Sequence, residues 1–168
     1  MKRISVIHPI EPVYDEDSEI LILGSFPSVK SREAGFFYGH PKNRFWKVIG
    51  ALAGEEVPDE IPERKEFLKR HHIALWDVIG SCTIEGSSDT SIRDVKPNDI
   101  RKIIDGSNIR RIFVNGRKAE KIYQKYTESL TGIKAVCLPS TSPANAAWSL
   151  ERLISEWGDL IPEGSFKK

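Results

Sequence analysis

Residues 36–47 read Phe36-Phe37-Tyr38-Gly39-His40-Pro41-Lys42-Asn43-Arg44-Phe45-Trp46-Lys47, the densest cluster of recognising side chains in the chain. Its aromatics are interleaved with the cations Lys42, Arg44 and Lys47. Aromatic faces stack on bases and cations neutralise phosphates, so this composition suits a nucleic acid. Phe45 and Trp46 equally fit the core face of a following helix, with Asn43 as its cap. Tyr38 and Asn43 stand in the loop before that helix and are the candidates for chemistry.

Four other segments gather small polar side chains. They are Gly24-Ser25-Phe26-Pro27-Ser28, Asp77-Val78-Ile79-Gly80, Asn115-Gly116 and Pro139-Ser140-Thr141-Ser142-Pro143-Ala144-Asn145-Ala146. Turn chemistry accounts for the Gly and Pro residues. The accumulated Ser, Thr, Asn and Asp side chains point to a functional crevice. The familiar catalytic patterns are missing. No GxSxG is present, so Ser25 and Ser28 do not read as esterase nucleophiles. No GxxxxGK[ST], GxGxxG or HExxH occurs, so nucleoside triphosphates, dinucleotides and a helix-borne zinc site lack support. An unrelated hydrolase using Ser28 or Ser142 is disfavoured, because no His is placed by a recognisable motif to activate either.

Each polar segment follows a short apolar run that reads as a buried strand: Ile20 to Leu23, Ile73 to Trp76, Ile109 to Val114 and Ile133 to Leu138. Helical patterns lie at Phe45 to Leu52, Pro62 to His71, Asn98 to Ile104, Arg117 to Leu130 and Trp148 to Trp157. Strand alternating with helix predicts βαβ units, a parallel sheet and helices on both faces. In such a fold the ligand crevice lies beyond the carboxyl ends of the strands, where all four polar segments fall.

Composition sets bounds on this reading. The 168 residues predict one domain, residues 1–168, large enough to fold without a disulfide or metal staple. Lys plus Arg is 25 and Asp plus Glu is 24, a net charge of +1. That excludes a globally basic, histone-like binder but leaves a local basic face open. The two cysteines, Cys82 and Cys137, are too few for an iron–sulfur cluster or an all-Cys zinc site. The acidic stretch from Asp15 to Glu19 lacks the spacing of a calcium loop. The N-terminus has no long apolar signal core, and no run approaches a membrane span. A cytoplasmic protein with no membrane partner is expected.

The Gly24–Ser28 segment, the block Tyr38-Gly39-His40-Pro41-Lys42-Asn43-Arg44-Phe45-Trp46 and the loop Leu138 to Asn145 resemble the uracil-DNA glycosylase superfamily. The nearest branch resembled is that of the hypoxanthine-DNA (deoxyinosine) glycosylases. The resemblance extends from about Ile7 to Trp157. It implies a three-layer α/β/α fold around a four-stranded parallel sheet, acting as a monomer without metal or other cofactor. It implies a DNA partner carrying a deaminated base, hydrolysis of the N-glycosidic bond and an abasic product for base-excision repair.

The resemblance also implies roles. Tyr38 matches the aromatic on which a flipped base stacks. The backbone around Ser25 and Phe26, within the Gly24 to Ser28 turn with Pro27, matches the contacts to the base carbonyl; Asn115 joins this set. The loop Ser140, Thr141, Ser142, Pro143, Ala144 and Asn145 matches the one that pinches phosphates and inserts beside the vacated stack. One departure matters. Uracil-specialised members carry the water-positioning Asp or Asn where this chain has Phe26, and the hypoxanthine branch places that task on Asn43. A neutral, positioned water suffices if the bond breaks first and leaves an electrophilic sugar cation.

Asp77 carries a further expectation. A carboxylate facing the base would accept the N1–H of hypoxanthine or the N3–H of uracil and repel adenine, which has a bare acceptor there. A turn or cap acceptor is the alternative role for Asp77. DNA grip is expected from Lys42, Arg44, Lys47, Arg117, Lys118 and Lys121, whereas Arg64, Lys65, Lys69 and Arg70 read as a solvated helix face. The expected activity is a hypoxanthine-DNA glycosylase. The alternatives are a uracil-DNA glycosylase using the same site and a catalytically inert sensor of damaged DNA.

Overall fold

In the computed structural model, which describes residues 2–161, the core strands and helices alternate as the pattern predicts, with a short unpredicted helix after the first core strand and one added sheet. In chain order they are β1 (Arg3–Ile7), β2 (Ile20–Gly24), α1 (Val29–Ala34), α2 (Phe45–Ala53), α3 (Ile61–Arg70), β3 (Ile73–Asp77), β4 (Ile79–Glu85) and β5 (Arg93–Pro97). There follow α4 (Ile100–Asp105), β6 (Arg111–Asn115), α5 (Arg117–Tyr126), α6 (Glu128–Thr131), β7 (Ala135–Leu138) and α7 (Leu150–Leu160). The expected four-stranded sheet is present, all parallel, in the order β3-β2-β6-β7.

Residues of β2 are buried on both faces, because alternate side chains point to opposite sides of a strand. Ile20 and Ile22 join Phe45, Val48, Phe67, Leu153 and Trp157, so α2, α3 and α7 cover one face. Leu21 and Leu23 join Ile100, Ile103, Ala119, Ile122 and Tyr123, so α4 and α5 cover the other. The chain is thus a three-layer α/β/α structure.

The addition is a small antiparallel sheet, β1-β4-β5, that the sequence reading misses. β1 is almost wholly exposed, and β4 buries only Ile79, Cys82 and Ile84. With so little apolar material, neither segment carries the signature of a core strand. Arg3 to Ile7 pair antiparallel with Glu85 to Ser81, which ties the N-terminus to the end of β3.

The predicted helix from Arg117 to Leu130 is divided at Thr127 (φ −125°) into α5 and α6. The Tyr123 hydroxyl donates to the Ile133 carbonyl at 2.5 Å, so Ile133 stays outside the ladder and β7 starts two residues later than the apolar run. α4 opens two residues after the expected start at Asn98: the Asp99 carboxylate caps it by accepting from Lys102 N–H at 3.2 Å.

Candidate active site

Beyond the carboxyl ends of β2, β3, β6 and β7 lies a cavity of about 320 Å³. That volume falls in the roughly 300–1,000 Å³ range of small-ligand sites. The Gly24–Ser28 turn, Tyr38, Asn43, Asp77, Asn115 and the loop residues 140–144 all line it. The structure therefore brings the separate polar segments of the sequence into one wall. A more open depression of about 730 Å³ adjoins it, sharing Tyr38, His40 and Asn43. Glu55, Glu56 and Asp59 line that depression together with Lys47 and Arg64.

Tyr38 is held in an unusual backbone conformation, φ 53°, a region that side chains seldom adopt. The Ser31 hydroxyl accepts the next amide, Gly39 N–H, at 2.9 Å and fixes the turn. The Tyr38 ring stacks on Phe45 with 4.0 Å between centroids and 16° between planes. Phe45 covers one face, so a base can stack only from the cavity side. The Tyr38 hydroxyl is buried and makes no hydrogen bond. Burial, then the charge of Asp77, push its pKa well above the ordinary phenol value; the nearby Asn115 amide acts in the opposite direction.

Asn43 lies one residue before the cap position of α2, which Arg44 occupies, so it is not the cap the sequence suggests. Its Oδ1 accepts Phe45 N–H at 2.9 Å at the start of α2, and its side chain lines the cavity. That bond fixes the rotamer and leaves the amide NH₂ and one lone pair of Oδ1 for a water.

Asp77 ends β3 almost completely buried. Its carboxylate is not a turn acceptor: Oδ2 lies 2.7 Å from Nε2 of His8. A Cβ on Gly24 would overlap Asp77 Oδ1 and would lie 3.3 Å from the Tyr38 hydroxyl. Glycine is thus what lets the carboxylate lie across the end of β2. The Gly24 and Ser25 carbonyls accept from Val78 and Ile79 N–H at 2.8 and 3.1 Å, which locks the first turn onto the end of β3. Ser28 caps α1, its hydroxyl accepting Ser31 N–H at 3.1 Å. The Phe26 side chain turns inward, 9% exposed, and meets the His8 ring edge-on at 5.8 Å.

Two expected contact residues hold the loop. Asn115 holds Thr141 at both ends: Nδ2 donates to Thr141 Oγ1 at 3.0 Å and Oδ1 accepts Thr141 N–H at 3.1 Å. Arg44 is not an outward cation. Its guanidinium donates to the carbonyls of Ser142 at 2.9 Å, Asn145 at 3.1 Å, Thr141 at 3.4 Å and Trp148. Four carbonyls converging on one guanidinium leave little of it for a phosphate. Inside the loop, Asn145 Nδ2 donates to Ser140 O at 3.0 Å, and Ser142 Oγ accepts Ala144 N–H at 3.1 Å. Ala144 stands exposed near the tip. Lys42, Lys47, Arg117 and Lys121 are exposed, and Lys118 is half-buried. No cluster of His, Cys, Asp or Glu that could hold a metal occurs among the described residues.

Residues 11–160 match the family model described as the uracil DNA glycosylase superfamily. The chain belongs to this superfamily. It is 41% identical over 149 residues to the hypoxanthine DNA glycosylase of Methanosarcina acetivorans, spanning 86% of this chain and 91% of that protein. It is 37% identical over 152 residues to the hypoxanthine DNA glycosylase of Methanosarcina barkeri, spanning 89% and 94%. Among solved structures, an NMR structure of a Methanosarcina acetivorans protein, provisionally assigned as a uracil DNA glycosylase, superimposes with a TM-score of 0.77. Its sequence is 37% identical, over 90% of this chain and 94% of that one.

Sequence reasoning misses two parts of this superfamily member's site. One is His8, which precedes the first core strand and belongs to no motif. The other is the tip between β4 and β5, where Ser87 and Asp89 reach the cavity mouth. Ser87 Oγ accepts Val29 N–H at 2.9 Å, and Ser25 Oγ donates to Asp89 at 3.2 Å, which fastens the tip to the first turn. The small sheet carries both features, so missing the sheet meant missing both. No helix among the described residues is long and apolar enough to cross a membrane.

Proposed function

We propose that this chain is a monofunctional DNA glycosylase that removes a deaminated base, hypoxanthine above all, by hydrolysing its N-glycosidic bond. The observation that carries the reading is the single cavity at the strand ends with Tyr38, Asn43 and Asp77 on its wall. The two hypoxanthine DNA glycosylases similar over most of the chain support it.

In this reading the target nucleotide leaves the stack, at least cost where it is mispaired or damaged, and its base lies on the free face of Tyr38. Asp77 accepts the N1–H of hypoxanthine. A carboxylate there opposes negative charge on the leaving base, so departure depends on donors to the adjacent carbonyl, O6. The backbone amides of Ser25 and Phe26 take that role. The C1′–N9 bond breaks with its electron pair going to the base. The water held by Asn43 adds its oxygen to the sugar cation and releases a proton to solvent. Positioning is the task left to the protein, because the cation needs no strong nucleophile. Lys42, Arg117 and Lys118 neutralise phosphates near the cavity, and the Ser140–Asn145 loop lies against the backbone. Uracil offers an equivalent N3–H to Asp77 and is the second substrate expected.

Single-turnover excision tests this. Duplexes carrying hypoxanthine, uracil or undamaged adenine are incubated with wild type and Asn43→Ala, and alkali reveals abasic sites. Wild type cuts hypoxanthine and spares adenine, and Asn43→Ala is slower by about 10²-fold or more. Salt-sensitive binding with no abasic product from any duplex identifies an inert damage sensor instead.

A further inference from the structure

We infer that His8 is the positioning residue of the base-reading carboxylate: it fixes which oxygen of Asp77 faces the base and keeps that oxygen an acceptor. This rests on the glycosylase reading above.

The proton assignment follows from hydrogen bonding. Nδ1 of His8 accepts Ile10 N–H at 3.2 Å, so it carries no proton. The proton of the neutral ring then lies on Nε2, because the bond made by one ring nitrogen decides the state of the other. Nε2–H donates to Asp77 Oδ2 at 2.7 Å, and the carboxylate is the acceptor. The His8 and Asp77 side chains are 3% and 5% exposed, so water does not replace this bond.

The ring itself has little room to move. It meets Phe26 at 5.8 Å, Trp76 at 6.2 Å and Phe37 at 6.3 Å. Its backbone N–H donates to Gly80 O at 2.8 Å, at the point where β1 leaves β4. With Oδ2 held, the remaining oxygen, Oδ1, lies over the α-carbon of Gly24 at the cavity wall. Without His8, a buried carboxylate with an unpaired oxygen would turn and take the acceptor off the N1–H, so the loss would fall on bases that carry that proton and spare those that lack it.

The test compares excision of hypoxanthine with excision of unsubstituted purine, which lacks the N1–H. His8→Leu lowers hypoxanthine excision by about 10–100-fold, the loss of a hydrogen bond to a charged group, and changes purine excision by less than about threefold. His8→Gln, whose amide nitrogen can donate from a similar place, keeps the preference within about fivefold of wild type. His8→Leu adds nothing further to Asp77→Asn in the double variant. A His8→Leu enzyme that keeps the wild-type preference, or that loses both substrates equally, overturns the inference.

A second measurement needs no variant to fold and no activity. The ring nitrogen shifts of His8 in wild type report the tautomer directly. A proton on Nε2 alone supports the inference; a proton on Nδ1 overturns it. A wild type that excises neither hypoxanthine nor uracil overturns the glycosylase reading, and this inference with it, whatever the tautomer. A normal wild type with an unaffected His8→Leu overturns His8 alone.

Discussion

Gly24→Ala isolates the geometry on which base reading depends. Gly24 belongs to a regular strand, so alanine meets no backbone penalty there. Its new methyl would overlap Asp77 Oδ1 and press the Tyr38 hydroxyl. A free carboxylate would swing aside, but this one is tied to His8 at 2.7 Å inside a ring of aromatics. Moving it breaks a hydrogen bond to a charged group, about 1.5–3 kcal/mol. The off-rotamer position it is forced into costs about 0.5–1.5 kcal/mol more. The combined loss is about 2–4 kcal/mol. In a chain of this size each kcal/mol lowers Tm by about 2–4 °C, so Gly24→Ala melts at least 4 °C below wild type. The same displacement takes the acceptor off the base, and about 2–4 kcal/mol of lost transition-state stabilisation is about 30–1,000-fold in single-turnover excision of hypoxanthine. Thermal melts and the abasic-site assay measure the two effects separately. Asp77→Ala removes the struck oxygen, so adding Gly24→Ala to an Asp77→Ala background lowers Tm less than it does in wild type, while excision stays low. A Gly24→Ala protein with wild-type Tm and wild-type excision refutes the reasoning.

Further outcomes separate contacts that look alike in the sequence. Lys42→Ala and Arg117→Ala each reduce the steepness of log K against log salt by about one, whereas Arg44→Ala leaves that slope unchanged and lowers Tm, because its guanidinium holds loop carbonyls; salt titrations with the three variants decide. Tyr38→Phe keeps excision and does not lower Tm, since the hydroxyl it removes is buried without a partner, while Tyr38→Ala loses the stacking face, worth about 1–3 kcal/mol per base. The Arg70 hydrogen bond, ahead of the other contributions, lowers the Glu55 pKa from 4.5 to about 2. Its pKa is lower folded than unfolded, so the stabilisation is present above about pH 4.5 and disappears as pH falls towards 2. Glu55→Gln then differs from wild type in denaturant midpoint at pH 7 and converges with it at pH 2, by a small margin because the pair is exposed.

Much of the site was legible because its motifs are local. Gly24–Ser28 and Ser140–Asn145 follow apolar runs, and a parallel sheet places everything after a strand on one edge. Asn43 was legible as a cavity residue, whereas the cap position expected for it falls to Arg44, one residue on. Arg44 was misassigned for a plain reason. A cation beside aromatics looks the same in sequence whether it faces phosphate or four carbonyls brought from about 98 residues away. Asn115 lines the cavity as expected, but its hold on Thr141, 26 residues on, was not legible.

The sequence by itself determined the four core strands, the helices between them and the edge on which chemistry would gather. Those follow from apolar periodicity and turn residues, which act over a few positions. It also carried the superfamily resemblance, because the blocks that bear it are contiguous. Only the tertiary structure decided which nitrogen meets which oxygen. β1 and β4 bury too little to announce themselves, yet their pairing carries His8 across 69 residues to Asp77. Strand pairing at that separation is stabilised by backbone hydrogen bonds and register, which any sequence supplies and no short pattern encodes.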